Sequence, residues 1–301
     1  MTPVAPLFIL GSPRSFTSVI STIIGQHPEA YGVPELNIFV TETLGQLVQR
    51  FQGFRQFQIH GLMRTVAQLY AGEQTRESIE MASRWINRRL DSTTAELYQE
   101  LADHISPLRI VDKSPVYAAR LESMYSMQQA FPDAYFLHLV RHPRTHGQSV
   151  MKLAQGMLAV LTNSIDYSTD PPVLDPQFSW YKTQRKIVTF LDTIPAHQQL
   201  QLRGEDVLNE PHIYLRQICE WAGLSWSEAA LEAMLRPQDS PFACVGPYGA
   251  HLGNDINFLK SPDYRYRRIA PSHLDGPLEW RSDQKGFRPE VLEYSKTLGY
   301  E

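Results

Sequence analysis

Residues 6–28, PLFILGSPRSFTSVISTIIGQHP, restrict the possible folds of this chain more than any other segment. Residues 7–10 are an unbroken apolar run, short enough for a strand and apolar enough to be covered on both faces. Residues 11–18 form a polar turn with a glycine, a proline, Arg14 and four hydroxyl side chains. From Val19 to Ile24 apolar residues recur at helical spacing, and Gly25 and Pro28 close the segment. A buried strand, a polar turn and a helix start bring free backbone N–H groups and the positive end of a helix dipole to one spot, which is an anion site. Arg14 adds a fixed charge and Ser15, Thr17 and Ser18 add hydroxyl donors, so the pattern predicts a bound phosphate-like group. The lysine of the usual nucleotide loop, G-x-x-x-x-G-K-[ST], is missing, because Thr17 precedes Ser18.

The pattern of apolar run and helix repeats along the chain. Residues 108–111, 135–140 and 199–202 are expected strands, followed by expected helices at 117–131, 143–157 and 211–222. Further helices are expected at 177–194, 227–235 and 289–298. Residues 39–105 read as helices interrupted near Gly53, Gly72 and Ser92, an insertion over the sheet and a candidate lid. Gly32 and Pro34 make 29–37 irregular, which puts Glu35 on a loop near the first strand end. Residues 158–176 read as loop, and 237–288, rich in Gly, Pro, Asn and Asp, as a long active-site loop. The expected fold is α/β: one domain over residues 1–301, with a P-loop-like central parallel sheet of about four to five strands flanked by helices.

Ligands on such sheets bind beyond the carboxyl ends of the strands. There the sequence puts Arg14, then Lys113 of Asp112-Lys113-Ser114-Pro115, then Arg141 of Arg141-His142-Pro143. The formal net charge is −4, so no general basic field argues for nucleic acid or an anionic membrane. Three cations gathered at one sheet edge would instead meet an anionic ligand locally. Cys219 and Cys244 have neither metal spacing nor the look of a disulfide framework, which fits a reducing, cytoplasmic setting. Residues 1–5 lack the basic start of a signal peptide, and no stretch reaches the roughly 18 apolar residues of a membrane span.

Three segments taken together resemble the sulfotransferases that use 3′-phosphoadenosine 5′-phosphosulfate (PAPS). They are residues 8–18 with the Pro13-Arg14-Ser15 core, residues 111–115, and residues 136–143 followed by Ser149. The similarity is nearest to the bacterial type that includes sulfotransferase domains of polyketide and olefin synthases, and more distant to tyrosylprotein sulfotransferases. It continues through Glu205-Asp206 and residues 253–258 and is thinnest over 40–105.

The resemblance implies an enzyme that moves a sulfuryl group from PAPS to a hydroxyl and releases adenosine 3′,5′-bisphosphate. It implies that Arg14, Ser15, Phe16, Thr17 and Ser18 hold the 5′ end, and that Arg141 and Ser149 hold the 3′-phosphate. Lys113 is implied at the bridging oxygen as it leaves, with Arg14 on the phosphosulfate oxygens and no metal in the arrangement. For the acceptor proton it implies Glu35, in Pro34-Glu35-Leu36, with His251 in the late loop as second candidate. Phe16 stands where many relatives have glycine, so the turn is expected to do without a positive φ there and to gain an aromatic wall. The implied acceptor is a hydroxyl-bearing small molecule, or an acyl chain on a carrier protein.

Two other classes fit parts of the sequence. A P-loop phosphotransferase would use Ile110-Val111-Asp112 as an apolar strand ending in a magnesium-holding Asp. A non-catalytic homologue would keep only a nucleotide site. Structural roles are expected for His138 in the core, His142 at a turn, Glu205 and Asp206 as cap or loop tie, and Trp180, Trp221 and Trp226 in packing. Trp280-Arg281 could reach a ligand, and the run 264–268 reads as a solvated loop or part of the 3′-phosphate site.

Overall fold

A computed structural model of the chain describes residues 4–264 and 268–301. Five strands, β1 (Leu7–Leu10), β2 (Ala30–Gly32), β3 (Arg109–Asp112), β4 (Tyr135–Val140) and β7 (Gln199–Arg203), make one sheet in the order β2-β3-β1-β4-β7. Every pairing in it is parallel, with Leu7 opposite Val111 on one side and Tyr135 on the other. β5 (Ile165–Asp166) and β6 (Val173–Leu174) form a separate antiparallel hairpin.

α1 (Thr17–Gly25) joins β1 to β2. Between β2 and β3 lie α2 (Leu44–Arg50), α3 (His60–Ala71), α4 (Arg76–Asn87) and α5 (Thr94–Ile105), the expected insertion. α6 (Leu121–Ala130) leads into β4, and α7 (Pro143–Lys152), α8 (Met157–Leu161) and α9 (Gln177–Leu191) lead on to β7. α10 (Gly204–Asn209), α11 (Pro211–Ala222), α12 (Glu228–Met234), α13 (Ile256–Lys260) and α14 (Pro289–Thr297) complete the chain.

Alternate strand residues feed opposite layers, as the period of two requires. Phe8, Leu10, Ile110 and Phe136 pack with Leu62 and Val66 of α3, Ile86 of α4, Tyr98 of α5, Met127 of α6 and Phe190 of α9. Leu7, Ile9, Val111, Leu137 and Leu202 pack with Ile20 and Ile24 of α1, Ile218 of α11 and Met234 of α12. Each such side chain contributes about 1.5–3 kcal/mol by leaving water, and β1, buried along its whole length, carries no polar residue. A third cluster, Val140, Trp180, Leu278, Phe287 and Leu298, closes the end of the sheet near β4.

Several expected boundaries change. Residues 29–37 include the short strand β2, which forms because Ala30–Gly32 pairs with Arg109–Val111. The expected helix 117–131 is a 3-10 turn, Tyr117–Ala119, followed by α6. The one expected at 143–157 stops at Lys152, and the expected loop 158–176 holds the end of α8 and the β5–β6 hairpin. Among the described residues no helix is long and apolar enough to cross a membrane.

Candidate active site

The crevice lies beyond the carboxyl ends of β1, β3 and β4, where neighbouring connections run to opposite sides. After β1 the chain turns through Gly11–Phe16 and enters α1. Arg14 (φ 70) and Phe16 (φ 61) both adopt the left-handed conformation, contrary to the expectation for Phe16. For residues with a Cβ that conformation costs roughly 1–2 kcal/mol each. Three contacts offset it. The Arg141 guanidinium lies 4.2 Å from the centre of the Phe16 ring, and Arg141 Nη1 donates to the Arg14 carbonyl at 2.6 Å. The Phe16 ring also rests on Gly204, where a Cβ would come within 2.8 Å of it. Phe16 therefore does form an aromatic wall, but by taking the glycine-like conformation.

Phe16 gives α1 no side-chain cap, whereas α2, α4 and α5 are closed by capping boxes from Thr43, Thr75 and Thr93. The first N–H groups of α1 thus remain open toward a cleft of about 200 Å³ lined by residues 14–19, Arg141, Asp255 and Phe258. The Ser15 hydroxyl, wholly buried there, has no hydrogen-bond partner among the described residues. Arg14 Nε donates to Ser149 Oγ at 3.2 Å, and Arg14 Nη1 pairs with Asp255. Arg141 Nε donates to Thr145 Oγ1 at 3.1 Å. Ser149 accordingly meets Arg14 directly, and the two arginines share one cluster. Burial lowers the pKa of Arg14. It pushes Arg141 down to about 10, with Glu205 opposing and Arg14 adding to the fall. Both guanidiniums are desolvated cations that an incoming phosphate would stabilise.

Lys113, at the end of β3, is 1% exposed. Its ammonium uses all three donors: Glu35 Oε1 at 2.5 Å, Ser18 Oγ at 3.0 Å and Asn254 Oδ1 at 3.0 Å. The Glu35 side chain is 26% exposed, so solvent and ligands can reach it. Its backbone is seated from two sides. The Glu35 N–H donates to the Gly253 carbonyl at 2.7 Å, and α3 approaches so closely that a Cβ on Gly61 would lie 2.0 Å from the Glu35 carbonyl oxygen. His251 is exposed, with Nδ1 3.2 Å from the Gly246 carbonyl and its ring 6.1 Å from that of Tyr248. The structure brings Glu35, not His251, into contact with Lys113.

Asn254 and Asp255, the neutral and acidic partners of Lys113 and Arg14, fall in the 253–258 segment that carries the resemblance, but neither is among the site residues expected from the sequence. Asp255 also caps α13 by accepting from the N–H groups of Asn257 and Phe258. The residues given structural roles keep them. His138 is buried with Nε2 2.6 Å from Gln184 Oε1, and His142 Nδ1 accepts from the Arg144 N–H at the start of α7. Glu205 ties the His142 N–H to the Tyr300 hydroxyl, and Asp206 pairs with Arg203. Trp180, fully buried, donates to the Arg141 carbonyl at 2.9 Å and so steadies the end of β4. Arg281 sits among Asp166, Asp175 and Asp283, and Trp280 donates to Asp175; both are structural. Of the run 264–268, Tyr264 donates to the Leu208 carbonyl and Arg268 is exposed, while 265–267 lie outside the described residues.

Residues 6–228 match the model of a family described as the sulfotransferase family. Among solved structures the chain is similar to the sulfotransferase domain from the curacin biosynthetic pathway: 22% identity, TM-score 0.76, over 99% of this chain and 98% of that one. It is equally similar to the sulfotransferase domain from the Synechococcus PCC 7002 olefin synthase, with 23% identity and TM-score 0.76 over 99% and 96%. Sulfotransferase STF9 from Mycobacterium avium aligns at 17% identity and TM-score 0.52 over 100% and 78%. No curated protein matches the sequence at a significant level.

Proposed function

Since the chain belongs to the sulfotransferase family, we propose that it moves a sulfuryl group from PAPS to the hydroxyl of a small-molecule or carrier-bound acceptor. The observation that carries this reading is the meeting of Arg14, Lys113 and Arg141, from three separate strand ends, around one turn. The cleft suits the anionic groups of such a donor: two desolvated guanidiniums, a buried hydroxyl without a partner among the described residues and an uncapped helix start line it. PAPS, when bound, supplies a sulfuryl group attached to phosphate through a bridging oxygen.

Arg14, Ser15 and the first turn of α1 hold the 5′ end, with Thr17 and Ser18 completing the turn. Arg141 and Ser149 hold the 3′-phosphate. Lys113 stabilises negative charge at the leaving oxygen, an electrostatic role worth about 3 kcal/mol of barrier in comparable sites. To reach that oxygen it exchanges Ser18 or Asn254, both neutral, and keeps its ion pair with Glu35. Glu35, part-exposed beside Lys113, takes the proton of the acceptor hydroxyl in this reading. The phosphotransferase alternative would need Asp112 to face the ligand, but both its oxygens accept from the buried hydroxyls of Ser114 and Tyr117.

The acceptor reading draws on the resemblance and on two similar structures that come from a curacin biosynthetic pathway and an olefin synthase. Transfer of labelled sulfate from PAPS across alcohols, phenols and carrier-bound hydroxyacyl chains tests it. Binding of adenosine 3′,5′-bisphosphate, measured by calorimetry, tests the donor site separately. A chain that ignores this nucleotide at millimolar concentration and labels no acceptor sinks the proposal.

A further inference from the structure

The contact between Glu35 and Lys113 requires the backbone from Glu35 to Ile38 to hold one path past the end of β3. Asn37 sits at φ 56 in that path. Its N–H donates to Ser114 Oγ at 3.1 Å, and the next one, of Ile38, donates to the Tyr117 hydroxyl at 3.0 Å. Each hydroxyl has one proton, and with a lone pair committed to an N–H, that proton needs an acceptor elsewhere. Both protons find Asp112: Ser114 donates to Oδ1 at 3.0 Å and Tyr117 to Oδ2 at 3.1 Å. Asp112, Ser114 and Tyr117 are each at most 1% exposed, so water does not substitute for any of these bonds.

We propose that Asp112, Ser114 and Tyr117 are positioning residues: one buried carboxylate orients two hydroxyls, which clamp the loop backbone so that Glu35 meets Lys113. The inference rests on the reading of Glu35 as the base and extends it to side chains that touch no substrate. Polarity is the essential point. Burial raises the Asp112 pKa to about 7; above that pH the carboxylate accepts from both hydroxyls, whereas a carboxamide at 112 accepts from one and donates to the other. The second hydroxyl then faces two donors while its own proton has no acceptor.

The test uses Tyr117→Phe and Ser114→Ala, with Glu35→Gln as partner. Native-state amide exchange at Ile38 in Tyr117→Phe, relative to the amides of α11, rises about tenfold or more as that N–H loses its acceptor. In turnover with PAPS, Tyr117→Phe lowers kcat about tenfold, with KM for PAPS within about twofold, and in the Glu35→Gln background it costs nothing further. Unchanged relative exchange at Ile38 overturns the clamp, and so does a loss that multiplies in the double variant. Should the unaltered chain transfer no sulfate while exchange rises as stated, the functional reading fails and the clamp stands. Should Tyr117→Phe fail to fold, Ser114→Ala read at the Asn37 amide carries the same outcomes.

Discussion

Replacing Lys113 by methionine removes one ammonium and keeps most of the buried stem. Three groups then lose this donor: Glu35 Oε1, Ser18 Oγ and Asn254 Oδ1, the last of which keeps the Asp255 N–H at 3.0 Å. Breaking a fully buried ion pair costs about 3–5 kcal/mol, but the Glu35 side chain is 26% exposed and can rehydrate. The stability loss should therefore be nearer the about 1–3 kcal/mol of an unsatisfied polar group. For a chain of this size that lowers Tm by about 2–4 °C for each kcal/mol. The effect on turnover is larger, because a donor aimed at developing charge is worth about 3 kcal/mol, a hundredfold or more in kcat. Arg14, Ser15 and Arg141 are untouched, so the Kd for adenosine 3′,5′-bisphosphate stays within about threefold. Saturating turnover with labelled PAPS, calorimetry with the product nucleotide and a thermal melt separate these terms. A kcat within about tenfold of the unaltered enzyme removes Lys113 from the leaving oxygen. A fall in nucleotide affinity as large as the fall in kcat makes it a binding residue instead.

Phe16→Gly should be more stable than Phe16→Ala by about 1 kcal/mol, since both lose the Arg141–ring contact and only alanine keeps the left-handed strain. Denaturant titration reads this directly, and a reversed order refutes the strain. Gly61→Ala forces a Cβ against the Glu35 carbonyl; a destabilisation of about 1–3 kcal/mol and at least about a tenfold loss of turnover are expected, and a neutral result contradicts the seating of Glu35. His138 and His142 are held down to about 4 and His146 to about 3, chiefly by burial, from an ordinary 6.5. Between those values the unfolded chain binds more protons than the folded one, so this contribution is present above about 6.5 and is lost as pH falls. Urea midpoints at about pH 7.5 and about pH 5 read this contribution, which Asp112, raised by burial to about 7, opposes. His138→Asn should make the midpoint fall less, or rise more, between the two pH values, and an unchanged difference would contradict the burial of this ring.

Local signals reproduce whole elements where local physics decides them. β4 occupies residues 135–140 and α11 residues 211–222, as read from the sequence. A strand covered on both faces needs a mostly apolar run, which β4 has apart from His138, and α11 opens on Pro211 and stops at Gly223 in the left-handed conformation. The convergence of Arg14, Lys113 and Arg141 was legible for the same reason, because parallel strands put their carboxyl ends on one edge. β2 was not legible: three residues with a glycine become a strand only when Arg109–Val111 lies beside them. Nor could the sequence show that Phe16 adopts a glycine-like conformation, since Arg141 and Gly204, which hold it, lie more than a hundred residues away. The partners of Lys113 come from three distant segments, at Ser18, Glu35 and Asn254. Periodicity and punctuation follow from the energy of neighbouring residues along the chain. Which ammonium meets which carboxylate is settled by packing between layers, and only the tertiary structure decides it.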